Sequence, residues 1–229
     1  MSVYIHGGLR SPIGVLNGQY KHMRPEILGS QVIDEIINRY TISHIDGIFC
    51  GNAVGTGGNL GRLMGLMCNL PNSVPAITVD MQCASALMSI EIAYAHIVSG
   101  IMDSAIAGGI ESSSLQPERV YASGDDREGP YKVAQFTPQD QSPLAMLKGA
   151  ERTIHKYNVT KEDLYPHIIG SHQRASAALD NPYLQSYIMP ITIDGKRCID
   201  ECIRPTMNEK LLSRMKPLLG ADSITNAGN

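Results

Sequence analysis

The sequence lacks the residues and patterns that mark several classes of protein. It has no Trp and two Phe among 229 residues, and charged residues make up 18% with a formal net charge of −3. We therefore expect neither a disordered chain nor a nucleic-acid-binding surface, which needs positive charge and aromatic platforms. No apolar run reaches the ~18–20 residues that span a bilayer, and the first residues lack a signal-peptide layout. The expectation is a cytoplasmic globular protein without a membrane partner.

The cysteines follow no pattern typical of a zinc site or a disulfide framework. Their number is odd, no Cys-x-x-Cys pair occurs, and they are widely spaced: Cys50, Cys68, Cys83, Cys198 and Cys202. We expect no metal site, and we expect most of these side chains to be buried as small hydrophobic groups. The open question is whether one of them is reactive.

Hydrophobic residues make up 43% of the chain, which is enough for a substantial core. Over the first 115 residues, short apolar runs alternate with helical stretches. Strands are predicted at 3–5, 45–50, 76–79 and 105–107, and helices at 24–40, near 63–67 and at 83–99. This alternation predicts an α/β fold with a mostly parallel sheet. Helix 83–99 is apolar on nearly every side and is expected to be buried.

The character of the sequence changes after residue 114. Residues 115–143 show no clear periodicity, while helices are predicted at 144–158, 161–179 and 209–219 and a short strand at 187–193. Thr160 followed by Asp163 is an acidic variant of the helix capping box. We predict an α/β core over 1–114 and a mainly helical inserted domain over 115–229. The last residues complete no element, so a truncated chain is expected.

Cys83 lies at a predicted strand-to-helix turn and is the candidate nucleophile. Free amides and the helix dipole at a helix N-terminus favour an anion such as a thiolate. From position alone, the favoured interpretation is a small residue that fills a tight turn, and a reactive thiol is the alternative. The local base candidate fails, since His96 lies 13 residues further on, about 20 Å along a helix.

Residues 107–114, Ala-Gly-Gly-Ile-Glu-Ser-Ser-Ser, form a second cluster after a strand. Two interpretations stay open. In the first, the cluster is a strand-end turn capped by Glu111 and the serines. In the second, it is one wall of a pocket around Cys83, because the consecutive strands 76–79 and 105–107 flank the helix that begins at Cys83.

The ordered motifs resemble the N-terminal part of the thiolase family, the acyl-CoA C-acyltransferases. Arg10–Gly14 is similar to the family's R-[ST]-P-x-G opening, and residues 79–85 resemble its nucleophile segment. Residues 107–112 resemble its A-G-G-x-E-S strand end. Further matches run in order to the end of the chain, including Ala150-Glu151, Ser171-His172, Asp200-Glu201, Lys216-Pro217 and Ala227-Gly228-Asn229.

This resemblance implies a thiolase fold of two similar α/β halves with a loop domain inserted in the first. Residues 115–229 would then comprise this CoA-binding loop domain and the start of the return to the core. Cys83 would take the acyl group of an acyl-CoA as a thioester, with ping-pong kinetics. Met146 would line the pantetheine tunnel, and Lys216 would stand where a basic residue contacts CoA. No cofactor is implied beyond the CoA thioester substrate. The implied partners are acyl-CoA and CoA, a second copy that pairs through the strand at 76–79, or a C-terminal thiolase half. The implied setting is fatty acid metabolism.

The sequence departs from the family pattern in ways that bear on function. The family's second half supplies a His that activates the nucleophile, an oxyanion Asn and an acid–base Cys, and none has a counterpart here. Ala86, Ala145 and Leu147 replace residues usual in the family, which leaves acyl length open. Two functions remain: thiolase-type acyl transfer completed by a second half, or a non-catalytic acyl-CoA-binding or dimerising fragment.

Overall fold

The computed structural model describes residues 2–55, 57–135, 138 and 142–228. The chain divides into two compact units, one made of residues 1–117 and 186–202 and the other of residues 118–185 and 203–229. The predicted domains, 1–114 and 115–229, place the division at nearly the same position but do not assign 186–202 to the first unit.

The described residues form short strands and helices whose bounds follow in chain order. The helices are α1 Pro25–Arg39, α2 Leu60–Met67, α3 Ser85–Val98, α4 Ala145–Lys156, α5 Lys161–Leu179, α6 Pro182–Gln185 and α7 Glu209–Leu212. A 3-10 turn at Gln82–Ala84 precedes α3. The strands are β1 Gly47–Gly51, β2 Ala76–Val79, β3 Ala105–Gly109, β4 Arg119–Val120, β5 Pro130–Tyr131, β6 Thr192–Ile193 and β7 Lys196–Arg197.

A three-stranded parallel sheet with the order β2-β1-β3 organises the first unit. In the central strand, Ile48 lies opposite Ala76 on one side and Ile106 on the other. All five residues of β1 are buried, as expected for a parallel strand covered on both faces. The predicted α/β class is therefore confirmed.

Helices cover the two faces of this sheet. Ile48 and Cys50 pack in a buried cluster with Ile33 of α1 and Met64 of α2. Because side chains alternate along a strand, Phe49 and Gly51 face the other side, where Phe49 contacts His96 of α3. The first unit thus has three layers, with α1 and α2 on one face of the sheet and α3 on the other.

Helix α3 differs from its prediction, because only one of its sides is covered in the part of the chain that the structure describes. Ser85, Ser89 and Ala93 are buried against the sheet. The opposite side is exposed and apolar, and its residues are Leu87, Ile90, Tyr94 and Val98. A helix so apolar was expected to be buried nearly all round, and no described element of this unit packs over the exposed side.

Three further predictions of secondary structure were wrong, one in existence and two in extent. Residues 3–5 form no strand within the described chain, and Tyr4 and Ile5 are largely exposed. The strand predicted at 187–193 shortens to β6, preceded by an isolated bridge between Ile188 and Arg10. The final helix ends at Leu212 rather than at residue 219. Each of these segments depends on a pairing or packing partner rather than on local pattern alone.

The second unit is mainly helical, with one small hairpin made by β4 and β5. Helix α5 begins with the predicted capping box, in which the Thr160 hydroxyl accepts from the Asp163 amide and the Asp163 carboxylate accepts from the Thr160 amide. Among the described residues of this unit, Leu212 is the one buried apolar side chain.

Candidate active site

The carboxyl ends of β1, β2 and β3 meet at one edge of the parallel sheet, which is where open α/β sheets place their ligands. The chain leaves β2 at Val79, passes through the 3-10 turn and enters α3 at Ser85. Cys83 is the middle residue of that turn, and its side chain is exposed. The structure therefore places Cys83 at the strand-to-helix junction that its sequence neighbourhood predicts.

The residue before Cys83 has an unusual backbone conformation. Gln82 has a φ of 53°, in the left-handed region that side chains other than Gly, Asn and Asp seldom occupy. Its amide donates to Asp80 Oδ1 at 2.9 Å. The Ser85 hydroxyl accepts from the Met81 amide at 2.8 Å and donates to the Gln82 carbonyl at 2.6 Å. Side-chain hydrogen bonds from both sides therefore hold the turn that carries Cys83.

Two glycines let the sheet approach the beginning of α3 closely. A Cβ at Gly51 would lie 2.5 Å from the Ala86 nitrogen, and a Cβ at Gly109 would lie 3.0 Å from the Ala86 Cβ. Such distances exclude a side chain at Gly51 unless the backbone moves. The first turn of α3 is thus packed directly on the ends of β1 and β3.

Glu111 anchors the loop that follows β1. Its carboxylate accepts hydrogen bonds from the Asn52 side-chain amide at 2.9 Å and from the backbone amides of Ala53 and Val54 at 2.9 and 3.0 Å. Each of the two interpretations of residues 107–114, a wall beside Cys83 and a capped strand end, therefore describes a different residue of the cluster. Gly109 lies against the helix that follows Cys83, whereas Glu111 caps a strand end.

Three of the other four cysteines are buried, unlike Cys83. Burial raises the pKa of the Cys50 thiol to about 11 and that of the Cys68 thiol to about 12. Cys198 is also buried, and burial likewise raises its pKa. A thiol with a raised pKa forms little thiolate at neutral pH and is a poor nucleophile. Cys83 and Cys202 are the exposed thiols of the described chain.

His96 does not act on the Cys83 thiol in this structure. Its Nδ1 lies 2.9 Å from the Ile92 carbonyl, one turn earlier in α3, and its ring packs against Phe49 with centroids 5.2 Å apart. Among the described residues of the first unit, no histidine hydrogen-bonds to Cys83. This agrees with the expectation that His96 lies too far along the helix to act as the base for Cys83.

Met146 and Lys216, the two residues expected to contact CoA, belong to the second unit, whereas Cys83 belongs to the first. Met146 is the second residue of α4, and Lys216 follows α7, next to a bridge between Pro217 and Asn226. Both side chains are exposed, so both are accessible to a ligand.

The first unit also contains features that sequence reasoning missed as a group. Arg10 forms a bidentate ion pair with Asp200 at 2.8 and 2.7 Å, and Glu201 accepts from the amides of Val15 and Gln19. These contacts fix residues 10–19 beside a cavity of about 420 Å³. Arg10, Asp200 and Glu201 belong to motifs recognised in the sequence, but nothing in the spacing of those motifs indicated a contact across 190 positions.

None of the described helices has the length and hydrophobicity that a bilayer crossing requires. Over the residues that the structure describes, no group of three His, Cys, Asp or Glu side chains is arranged to hold a metal ion.

Comparisons with known proteins agree with one another. The profile described as "Thiolase, N-terminal domain" matches residues 3–229. A Staphylococcus epidermidis protein provisionally named acetyl-CoA C-acetyltransferase VraB is 33% identical over 228 residues, covering 94% of this chain and 58% of that protein. Its Staphylococcus aureus namesake is 32% identical, covering 96% of this chain and 60% of its own.

A solved structure gives the same result at the level of the fold. The crystal structure of the Bacillus anthracis acetyl-CoA acetyltransferase matches with a TM-score of 0.86 and 25% sequence identity, covering 98% of this chain and 61% of that one. The chain therefore spans about 60% of the length of these proteins.

Proposed function

This chain belongs to the thiolase family, and on that premise we propose that it carries the acyl-accepting half of a thiolase-type acyltransferase, with Cys83 as the nucleophile. The observation that carries the proposal is the exposed Cys83 thiol at the carboxyl edge of the parallel sheet. Buried thiols such as Cys50 and Cys68 lack this exposure.

In the proposed first step, the Cys83 thiolate attacks the carbonyl carbon of an acyl-CoA. A bond forms between Cys83 Sγ and that carbon, the bond to the CoA sulfur breaks, and the released CoA thiolate takes up a proton. In the second step the bond between Cys83 Sγ and the acyl carbon breaks and the Cys83 thiolate is regenerated. The acyl carbon forms its new bond either to the sulfur of a CoA thiolate or to the α-carbon of a second acyl-CoA, which first gives up a proton to a base. Both steps exchange one acyl bond for another, so we propose no redox or metal cofactor and treat the CoA thioester as substrate.

We assign CoA binding to the second unit. An exposed thioether at Met146 suits contact with the apolar parts of pantetheine, and the exposed ammonium group of Lys216 suits a CoA phosphate. The relatives that guide this assignment carry acetyl-CoA C-acetyltransferase in their names, so acetyl-CoA is the first substrate to test.

Full turnover, in this proposal, needs residues that correspond to the remaining length of the relatives. General acid–base help is worth ~10²–10⁴-fold, and an oxyanion-stabilising group about 10²–10³-fold. Without both, carbon–carbon bond formation by residues 1–229 alone falls by roughly 10⁴–10⁷-fold. Transfer of an acyl group to Cys83 needs less help and is expected to persist.

We propose that a second thiolase half covers the exposed apolar side of α3. Leu87, Ile90, Tyr94 and Val98 repeat at three- and four-residue intervals along that side, which is the spacing of a helix face that packs on another surface. For the homo-oligomer we propose pairing through β2, because it is an edge strand of the three-stranded sheet.

A second candidate function is a non-catalytic acyl-CoA-binding or dimerising fragment. One observation favours it: no described histidine of the first unit hydrogen-bonds to Cys83, so the unit offers the thiol no histidine base of its own.

Intact-mass spectrometry separates the two functions. The chain is incubated with acetyl-CoA and, separately, with a longer acyl-CoA, alongside the Cys83→Ala and Cys202→Ala variants. Acyl transfer predicts one adduct in the wild type and in Cys202→Ala, no adduct in Cys83→Ala, and removal of the adduct by added CoA. Folded protein that binds CoA without forming an adduct would support the non-catalytic fragment instead. An adduct that survives in Cys83→Ala would contradict the assigned nucleophile.

A further inference from the structure

The turn before Cys83 contains a second residue with a defined task. We infer that Ser85 is a positioning residue, whose hydroxyl holds Gln82 in the left-handed conformation and thereby sets the direction in which the Cys83 thiol is presented. The inference rests on the proposed function in that Cys83 is taken as the nucleophile. The geometry of the turn stands on its own observations.

Gln82 is an unusual residue for its conformation. Among the residues that the structure describes, those other than glycine with positive φ are Asn17, Thr41, Asn59, Gln82, Asn158 and Asp194. Four of these six are Asn or Asp, whose short side chains tolerate the left-handed region. Thr41 follows the end of α1, where left-handed residues are common. Neither explanation applies to Gln82, which has a longer side chain and stands at the beginning of a helical segment. Other contacts must therefore hold its backbone at a positive φ.

The Ser85 hydroxyl supplies two of those contacts. It accepts from the Met81 amide at 2.8 Å and donates to the Gln82 carbonyl at 2.6 Å, so it bridges the peptide groups on both sides of the turn. The Ser85 amide donates to the same Gln82 carbonyl. Relaxation of Gln82 to a negative φ would rotate these groups and break the bridge.

Burial makes the bridge effective. Ser85 is 5% exposed, whereas Cys83 two residues earlier is exposed. Water therefore competes little for the hydroxyl, and the hydrogen bonds are stronger than they would be on the surface. A Cβ at Gly51 would lie 2.6 Å from the Ser85 carbonyl carbon, so the serine is seated directly on the central strand β1.

A series of contacts connects the sheet to the Cys83 thiol. Strand β1 fixes Ser85, Ser85 fixes the carbonyl of Gln82, and that carbonyl belongs to the peptide group that joins Gln82 to Cys83. The Asp80 carboxylate adds a third side-chain hydrogen bond, which it accepts from the Gln82 amide at 2.9 Å. The Cys83 side chain thus leaves the sheet edge in one direction rather than sampling several.

The test compares Ser85→Ala, Gln82→Gly and the double variant in the full chain. The rate at which iodoacetamide alkylates Cys83 is measured by peptide mass spectrometry relative to Cys202 in the same sample. We expect Ser85→Ala to lower the Cys83 rate about tenfold and leave Cys202 unchanged. Gln82→Gly alone should change little. The double variant should recover most of the loss, because glycine adopts a positive φ without the bridge.

Two results would overturn the inference. In the first, Ser85→Ala lowers the melting temperature while the ratio of Cys83 to Cys202 alkylation stays as in the wild type, which is what a purely structural serine would give. In the second, Gln82→Gly fails to restore the rate in the double variant. If Ser85→Ala does not fold, Asp80→Ala tests the same turn by removing the carboxylate that accepts from the Gln82 amide. An unchanged alkylation ratio in Asp80→Ala would also count against the inference.

The alkylation ratio is independent of acyl transfer, so the two proposals fail separately. Loss of Cys83 alkylation in Ser85→Ala, together with a wild type that acetyl-CoA does not acylate, would support the positioning role and contradict the proposed function. Unchanged Cys83 alkylation in Ser85→Ala, together with a wild type that acetyl-CoA does acylate, would contradict the positioning role alone.

Discussion

The two units of the chain are stabilised by different kinds of interaction. In the first unit, a buried parallel strand and apolar side chains of α1 and α2 form a continuous core. In the second, Glu151 of α4 binds the segment 223–225 through the amides of Ile224 and Thr225 and the hydroxyls of Ser223 and Thr225. The comparison indicates that the unit carrying Cys83 depends on apolar packing, while the other unit depends on an ionised carboxylate.

The largest effect is expected in the core of the first unit. Ile48 is 2% exposed at the centre of β1, so Ile48→Ala leaves a cavity and should lower the free energy of unfolding by about 2–5 kcal/mol. Ile77→Ala in β2 is the matched control, because Ile77 is exposed, and should cost about 0.5 kcal/mol. Urea denaturation gives both values. Equal losses in the two variants would contradict a core centred on β1.

A smaller effect is expected at Glu151. Glu151→Gln keeps the size of the side chain but removes the charge that the amides and hydroxyls of residues 223–225 bind, and should destabilise the second unit by about 1.5–3 kcal/mol. Hydrogen exchange resolves where the loss occurs. Amides 224 and 225 should lose protection against exchange, while the amides of β1 keep theirs. A uniform loss over both units would contradict the claim that Glu151 stabilises the second unit in particular.

The same carboxylate predicts a dependence on pH. Burial raises the pKa of Glu151, but hydrogen bonds from the Thr225 hydroxyl and from the amides of Ile224 and Thr225 outweigh burial and lower it to about 2. Because the pKa of Glu151 is lower in the folded state than its usual value of 4.5, the ionised carboxylate stabilises the folded state at pH values above 4.5. This stabilisation is lost as the pH falls toward 2. The stability difference between wild type and Glu151→Gln should therefore shrink over this interval, and a constant difference would contradict the role of the charge.

The smallest effect is expected at the beginning of α5. Thr160→Ala removes the hydroxyl that accepts from the Asp163 amide and should cost about 1 kcal/mol. Thr160→Ser, which keeps the hydroxyl, is the control. Protection of the first-turn amides against hydrogen exchange should fall in the alanine variant only. An equal fall in the serine variant would assign the effect to the lost methyl group rather than to the cap.

Local signals allowed part of this structure to be predicted from the sequence. The bounds of β2 and α5 coincide with those predicted, because an apolar run between turn residues and a capping box are encoded within a few positions. Residues 3–5 were predicted as a strand and are not one among the described residues, since a strand also needs a neighbour to pair with. For the same reason the pattern of α3 could indicate an apolar helix but not which of its sides the rest of the chain covers.

The site was predictable to a similar degree. The position of Cys83 between a strand and a helix follows from local pattern, whereas the contact of Glu111 with Asn52 depends on the register of β1 and β3. The positive φ of Gln82 was not predictable, because glutamine carries no preference for it. The spacing of Ser85 three residues after Gln82 was the available signal, since serine often bonds back to a carbonyl three or four residues earlier. The roles of Cys83, Met146 and Lys216 stay predictions.

The central claim is that Cys83 accepts the acyl group, and peptide mapping after brief incubation with acetyl-CoA tests it most directly. All five cysteines are followed in one sample, so Cys202 reports on exposure alone and Cys50, Cys68 and Cys198 report on unfolding. The account predicts acetyl on Cys83 and its loss on addition of free CoA. Acetyl spread equally over Cys83 and Cys202, or absent from Cys83 in folded protein, would contradict it.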